Sequence, residues 1–163
     1  MGSLARSAAR MIGLMTDTTP TARRARSVNA ADWSRRLGHD QAQRRDGVSA
    51  ILSIGGQRPV DAEGRLMHEG DAIAQVALAL DNLTAVVVAA GMTLADLAHL
   101  RIHATSRAAL LDAQFVVREH LVEHAVTTPI TTVEVRGLAD PGTEVEIDGL
   151  AVRTENRTEG NPT

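Results

Sequence analysis

The chain has no cysteine, no tyrosine and no lysine, and all 17 of its basic residues are arginine. Without cysteine there are no disulfides, no thiolate metal sites and no cysteine nucleophile. Without lysine there is neither a Schiff-base amine nor a phosphate-loop lysine. Chemistry therefore falls to Asp, Glu, His, Ser, Thr, Arg or the main chain. Aromatic side chains are limited to Trp33 and Phe115, so the stacking platforms that bind single-stranded nucleic acid are missing. The apolar stretch from Met11 to Met15 is too short and too broken for a signal core or a membrane-spanning helix. A cytoplasmic location without membrane contact is the expectation.

What is present is an ordinary globular composition: 163 residues, 44% apolar, net charge −3. A chain of this length removes about 70% of its unfolded surface from water, enough for one core. Charge is unevenly spread. Arginines 6, 10, 23, 24, 26, 35, 36, 44 and 45 face only Asp17, Asp32 and Asp40 in the first 45 residues, a balance of +6 that leaves −9 on the remainder. Residues 1–27, with Pro20 and the run Arg23-Arg24-Ala25-Arg26, lack sustained periodicity and are expected to form a basic disordered tail. A transit peptide and a phosphate-binding arginine cluster are the sharper readings of that segment, and Met11 or Met15 is an alternative start. Residues 28–153 are expected to fold as one domain and 154–163 to form a flexible polar tail.

Within the domain, Gln41 to Arg45, Asp46-Gly47 and Val48 to Ile54 read as a hairpin, because Asp-Gly supplies the positive φ of a tight turn. The nearly all-apolar second strand is expected to be central. From Asp71 to Ala90, residues Ile73, Val76, Ala77, Leu80, Leu83, Val87 and Ala90 make one helical face, with Gly91 as its C′ residue. Leu100, Ile102 and Ala104 alternate with polar neighbours as in a half-buried strand. Ser106 then caps a helix with the stripe Leu110, Ala113, Val117 and Leu121, ending near Val126. Strands are expected at Ile130–Leu138 and Glu144–Val152, the latter with a bulge at Gly149 where its apolar phase changes. The order β-β-α-β-α-β-β predicts an α+β layer, two helices on one face of a mixed sheet.

His120 and His124 stand at i, i+4, a spacing that can place two imidazoles on one metal, but Leu121 occupies the position of the glutamate in a metalloprotease helix and no third ligand is evident. A solvated charged face is the simpler reading, and His99 and His103 are expected at the surface. None of the seven serines has a nucleophile-elbow context. Gly55-Gly56-Gln57 is followed by Pro59 rather than a helix start, which argues against a phosphate cradle. Glu144, Glu146 and Asp148 share one face of the last strand, where a solvated edge competes with a catalytic acid or base.

Taken in order, these motifs resemble the Rid family, the reactive intermediate deaminases also called YjgF-like. Leu52-Ser53-Ile54-Gly55-Gly56-Gln57, Gln75 with Leu80-Asp81-Asn82, Ala89-Ala90-Gly91 before Leu94-Ala95-Asp96, Thr132-Val133-Glu134-Val135 and Val145-Glu146-Ile147-Asp148 carry the resemblance across residues 47–152. It implies a bacterial chorismate mutase-like fold, a homotrimer with clefts between subunits, and hydrolysis of reactive enamines and imines without a metal or organic cofactor. It also implies that Glu146 places the attacking water and that Gly56 lends main-chain groups.

The sequence departs from that pattern at the arginine expected to hold a substrate carboxylate, whose position is Ile130, or Thr131 if the alignment is anchored on Pro129. Thr132 stands where the family often has cysteine, and Gln114 where asparagine is frequent. Arg58, beside the Gly-Gln turn, is the candidate replacement cation; Arg136, six residues along an extended strand, lies about 20 Å from Ile130. Two functions follow: an imine or enamine hydrolase of altered specificity, or a non-catalytic trimer that binds a small molecule. A ribonuclease is the weaker alternative, because the −9 body and scarce aromatics disfavour nucleic acid.

Overall fold

A computed structural model of the chain describes residues 25–30, 33, 37 and 39–155. Among them the chain forms β1 (Arg26–Val28), β2 (Ala42–Arg44), β3 (Val48–Gln57), α1 (Ala72–Ala89), a 3₁₀ turn (Leu94–Asp96), β4 (Leu97–Ala104), α2 (Arg107–Glu123), β5 (Ile130–Glu134) and β6 (Val145–Thr154). The expected α+β order holds, with β1 added at its start. That strand begins inside the segment expected to be a tail; residues 1–24 and 156–163 lie outside the described residues. The expected C-terminal tail begins one residue early, since Thr154 still belongs to β6.

Both helices have the boundaries their sequences encode. The Asp71 carboxylate accepts from the Ala74 N–H at 3.0 Å and the Ser106 hydroxyl from the Ala109 N–H at 3.1 Å, each satisfying a first-turn donor. At the far ends, Met92 N–H reaches Val87 C=O and Val126 N–H reaches Leu121 C=O, both through a left-handed residue. Gly91 takes that conformation in α1, whereas Ala125, with φ +52°, takes it in α2.

The buried face of α1 is turned from the expected one. Gln75, Val76, Ala79, Leu80, Leu83 and Val87 are inside, while Ile73 and Ala77 face out. A fully buried amide displaces isoleucine here because its polar atoms are all used. Gln75 Nε2 donates to His68 C=O and Gly142 C=O, and its Oε1 accepts from Glu144 N–H at 2.8 Å. Although α1 is long and apolar enough to cross a bilayer, its inner face packs on the sheet through the shared core.

The main sheet has the order β3-β6-β4-β5, with β5 parallel to β4 and the other pairs antiparallel. Three expectations change. Gly47 takes the expected positive φ, +67°, but Asp46 does not and no hairpin forms: β2 pairs with β1, and β3 with β6. Strand β3 is an edge and β6 is central, the reverse of what their compositions suggest. Register shifts fall instead on β3, at Gly55-Gly56, where Ile54 pairs with Gly149 and Gln57 with Ile147, and between Val48 and Ala50, and on β4 between Leu97 and His99. Gly149 itself is in register on both sides, and Val145, Ile147, Gly149 and Ala151 keep one buried phase. A Cβ at Gly149 would come within 2.7 Å of the His99 carbonyl oxygen, so close backbone approach explains this glycine. Strand β5 ends at Glu134, four residues before the expected end.

Alternation sorts the remaining side chains. Leu100, Ile102, Ala104, Val145 and Ile147 point toward the helices and are fully buried. Arg101, His103, Glu146 and Asp148 occupy the opposite face, since cross-strand partners share a side and Ile102 pairs with Ile147 but His103 with Glu146.

Candidate functional site

Two amides on one face of α1, seven residues apart, hold the segment that leaves β3 and the one that enters the antiparallel β6. Asn82 Nδ2 donates to Arg58 C=O at 2.9 Å and to Val60 C=O at 3.0 Å, which fixes the chain leaving the Gly-Gln turn. Gln75 fixes the chain entering β6 through Gly142 and Glu144. Between these anchors Gly56 lies against Glu146, and a Cβ on Gly56 would overlap the glutamate carboxylate. Glu146 is half-buried and its carboxylate has no hydrogen-bond partner among the described residues. Such a group is an available acceptor beside main-chain polar groups.

Its neighbours on that face are engaged with each other. Asp148 accepts from Arg101 Nε at 2.7 Å and lies 2.8 Å from His103 Nε2, so it is a paired carboxylate on a central strand rather than a solvated edge. His99 Nε2 lies 2.9 Å from Thr131 Oγ1. Burial and the adjacent Arg101 push the His99 pKa down.

A second locus lies on the helix side of the sheet, between α2 and β5. Here Gln114 Nε2 donates to Thr132 Oγ1 at 3.2 Å, and both line a cavity of about 300 Å³ with Ile130 and Ile102. Leu111, Phe115 and Arg118 complete the wall from α2. The spacing 111, 114, 115, 118 is one face of a helix, so one stretch of α2 presents amide, aromatic and guanidinium together. A parallel bridge between Asp40 and Pro129 brings Leu37 and His39 over the same opening. Asp40 is held by Ser27, Asn29 and Gln43. Burial would raise its pKa, but these hydrogen bonds outweigh it and hold the carboxyl below its ordinary value.

Of the residues singled out from sequence, a single chain thus brings Ile130, Thr132 and Gln114 together at one cavity and Gly56 and Glu146 together elsewhere. Strand parity puts Thr132 and Glu146 on opposite faces of the sheet. Arg58 joins neither set as a free cation, because its guanidinium is paired with Asp140. The arginine that lines the cavity is Arg118, which sequence reasoning missed. Its i, i+4 relation to Gln114 was the available signal.

His120 and His124 have ring centroids 4.5 Å apart. Burial and the neighbouring His124 push the His120 pKa down. Among the described residues no group of three or more His, Cys, Asp or Glu is placed to hold a metal ion.

A sequence profile of the family described as Endoribonuclease L-PSP matches residues 41–153. No curated protein sequence matches the chain. Among solved structures, a Rid-family protein of unknown function from Yersinia pestis, YyfB, is 29% identical and superposes with a TM-score of 0.72 over 80% of this chain and 99% of its own. TdcF from E. coli, solved with bound serine, is 26% identical with a TM-score of 0.59, covering 72% of this chain and 95% of that one. The E. coli YjgF product shares the fold at 23% identity and a TM-score of 0.58, over 78% of this chain and 98% of its own.

Proposed function

The chain belongs to the Rid family, and from that premise we propose that it hydrolyses a reactive imine or enamine to a ketone and ammonia in clefts between the subunits of a homotrimer. The observation that carries this reading is the Glu146 carboxylate, without a hydrogen-bond partner among the described residues, against the main chain at Gly56. Water attacks the carbon of a protonated imine while Glu146 accepts a proton from it. The resulting carbinolamine collapses, the C–N bond breaks, the nitrogen leaves as ammonia, and the carbon becomes a carbonyl. Thr132 and Gln114 supply polar contacts to the ligand, and Ile130 an apolar wall. No metal or organic cofactor is needed for these steps. The proposed location is the cytoplasm.

Trimerisation fits the distribution of the site. Glu146 with Gly56 and Thr132 with Gln114 lie on different sides of one chain, so a neighbouring subunit must juxtapose them. The outer sheet face carries Ile51, 66% exposed, together with exposed Leu150 and Val133. Apolar side chains on both edge strands and on β6 are a surface suited to burial by a second copy.

Ile130 favours a second reading, a trimer that binds a ligand without turning it over, because the wall that would hold a substrate carboxylate is apolar at this position. The two are separated by generating 2-imino acids in situ with an amino-acid oxidase, with semicarbazide as the competing trap. Turnover that disappears in Glu146→Gln supports hydrolysis. Absence of wild-type turnover, or turnover unchanged in Glu146→Gln, rejects it, and Ile130→Arg then tests whether the family cation restores it.

A further inference from the structure

We propose that Arg118 is the anion-binding group of this cleft, so that the ligand is a small carboxylate with an apolar body, held from helix α2 rather than from strand β5. This rests on reading the cavity beside Gln114 and Thr132 as the ligand-binding part of the cleft.

The lining sorts by chemistry. Ile102, Ile130, Leu111 and Phe115 make an apolar surround, and Phe115 is 65% exposed, an unusual position for the chain's one phenylalanine unless something covers it. Arg118 and His39 are the ionisable lining residues, and no carboxylate lines the cavity among the described residues. Arg118 has no ion pair or hydrogen bond among them. Arg58 and Arg101 are committed to Asp140 and Asp148, and Arg45 to main-chain carbonyls. A free guanidinium at the rim of an apolar cavity has a geometric match in a carboxylate, which accepts two parallel N–H donors. About 300 Å³ is the lower end of ligand-site volumes, which limits the body to a few carbons. Gln114 and Thr132 stand one helical turn and one strand away, where they can bond a carbonyl or imine next to the carboxylate.

The test is calorimetric binding of 4-methyl-2-oxopentanoate and of its uncharged amide to wild-type protein, Arg118→Gln and Arg118→Lys. The wild type should prefer the carboxylate by at least about tenfold. Arg118→Gln should weaken carboxylate binding by about 10- to 100-fold and leave the amide unchanged, with Arg118→Lys between them because an ammonium lacks the guanidinium fork. Unchanged carboxylate affinity in Arg118→Gln, equal wild-type affinity for acid and amide, or no binding of either at millimolar concentration overturns the proposal. Thermal unfolding of Arg118→Gln should match the wild type, since among the described residues its side chain has no hydrogen-bond or ion-pair partner to lose. Running the imine-hydrolysis assay in parallel separates the two claims. Glu146-dependent turnover that is indifferent to Arg118 rejects the anion site and keeps the hydrolase; Arg118-dependent binding without turnover does the reverse.

Discussion

The main chain at Gly56 lies so close to the Glu146 side chain that any Cβ there would displace the carboxylate. The obstructed atoms are the end of a flexible side chain, so Gly56→Ala should move Glu146 without breaking the sheet. Stability should change by less than about 1 kcal/mol in chemical denaturation. Imine hydrolysis should fall at least about tenfold, because a base displaced from its working position loses most of its effect. Equal losses of stability and activity would instead point to a structural role for the glycine.

Gln75 is fully buried, and its amide serves three main-chain groups. Gln75→Leu leaves the Glu144 N–H and the His68 and Gly142 carbonyls without these partners. The expected cost is about 2–4 kcal/mol, since buried unsatisfied groups incur their desolvation penalty. Urea denaturation checks the magnitude, and hydrogen exchange should show Glu144 losing protection first.

At Gly149 the obstacle is backbone, not side chain. The Cβ of Gly149→Ala would meet the His99 carbonyl at 2.7 Å and Leu100 Cδ2 at 3.1 Å. Separating β4 from β6 to admit it should cost about 1–3 kcal/mol, read as a lowered denaturation midpoint with an unchanged slope.

Acid should loosen the segment carrying β1 and β2. Asp40 has its pKa lowered in the fold by hydrogen bonds from Gln43, Asn29 and Ser27 that outweigh the opposing effect of burial. Between its folded and unfolded pKa values the unfolded chain binds more protons, so stability rises with pH there. The contribution is present above the ordinary value of 3.8 and is lost as pH falls through the lower folded value. Thermal unfolding as a function of pH should decline more steeply below that point in the wild type than in Asp40→Asn, whose side chain does not titrate.

Ile51 is the most exposed large aliphatic residue of the sheet's edge strand. Ile51→Glu should leave monomer secondary structure intact and dissociate the proposed trimer, because an unpaired charge cannot be buried between subunits without a large cost. Sedimentation equilibrium distinguishes trimer from monomer. A wild type that sediments as a monomer would remove the basis of a shared cleft.

What the sequence alone determined is whatever local chemistry controls. The helix starts at Asp71 and Ser106 follow from side-chain caps, the left-handed Gly47 and Gly91 from steric freedom, and the buried Leu100, Ile102 and Ala104 from strand alternation. The order of motifs was enough to place the chain in its family. Tertiary structure decided what depends on which segments meet. Composition made β3 look central and β6 an edge, yet pairing between residues about a hundred positions apart reversed them. Gly149 reads as a bulge until the β4 backbone is seen beside it. Ile73 matches the apolar period of α1 but lies outside, because Gln75 finds its partners in the segment leading into the helix and in the distant one entering β6. Arg118 could be placed on the same helical face as Gln114 from spacing, but its position over a cavity depends on the parallel placement of β5 beside β4. Short-range sterics are encoded residue by residue, whereas edges, close backbone contacts and clefts are properties of non-local pairs.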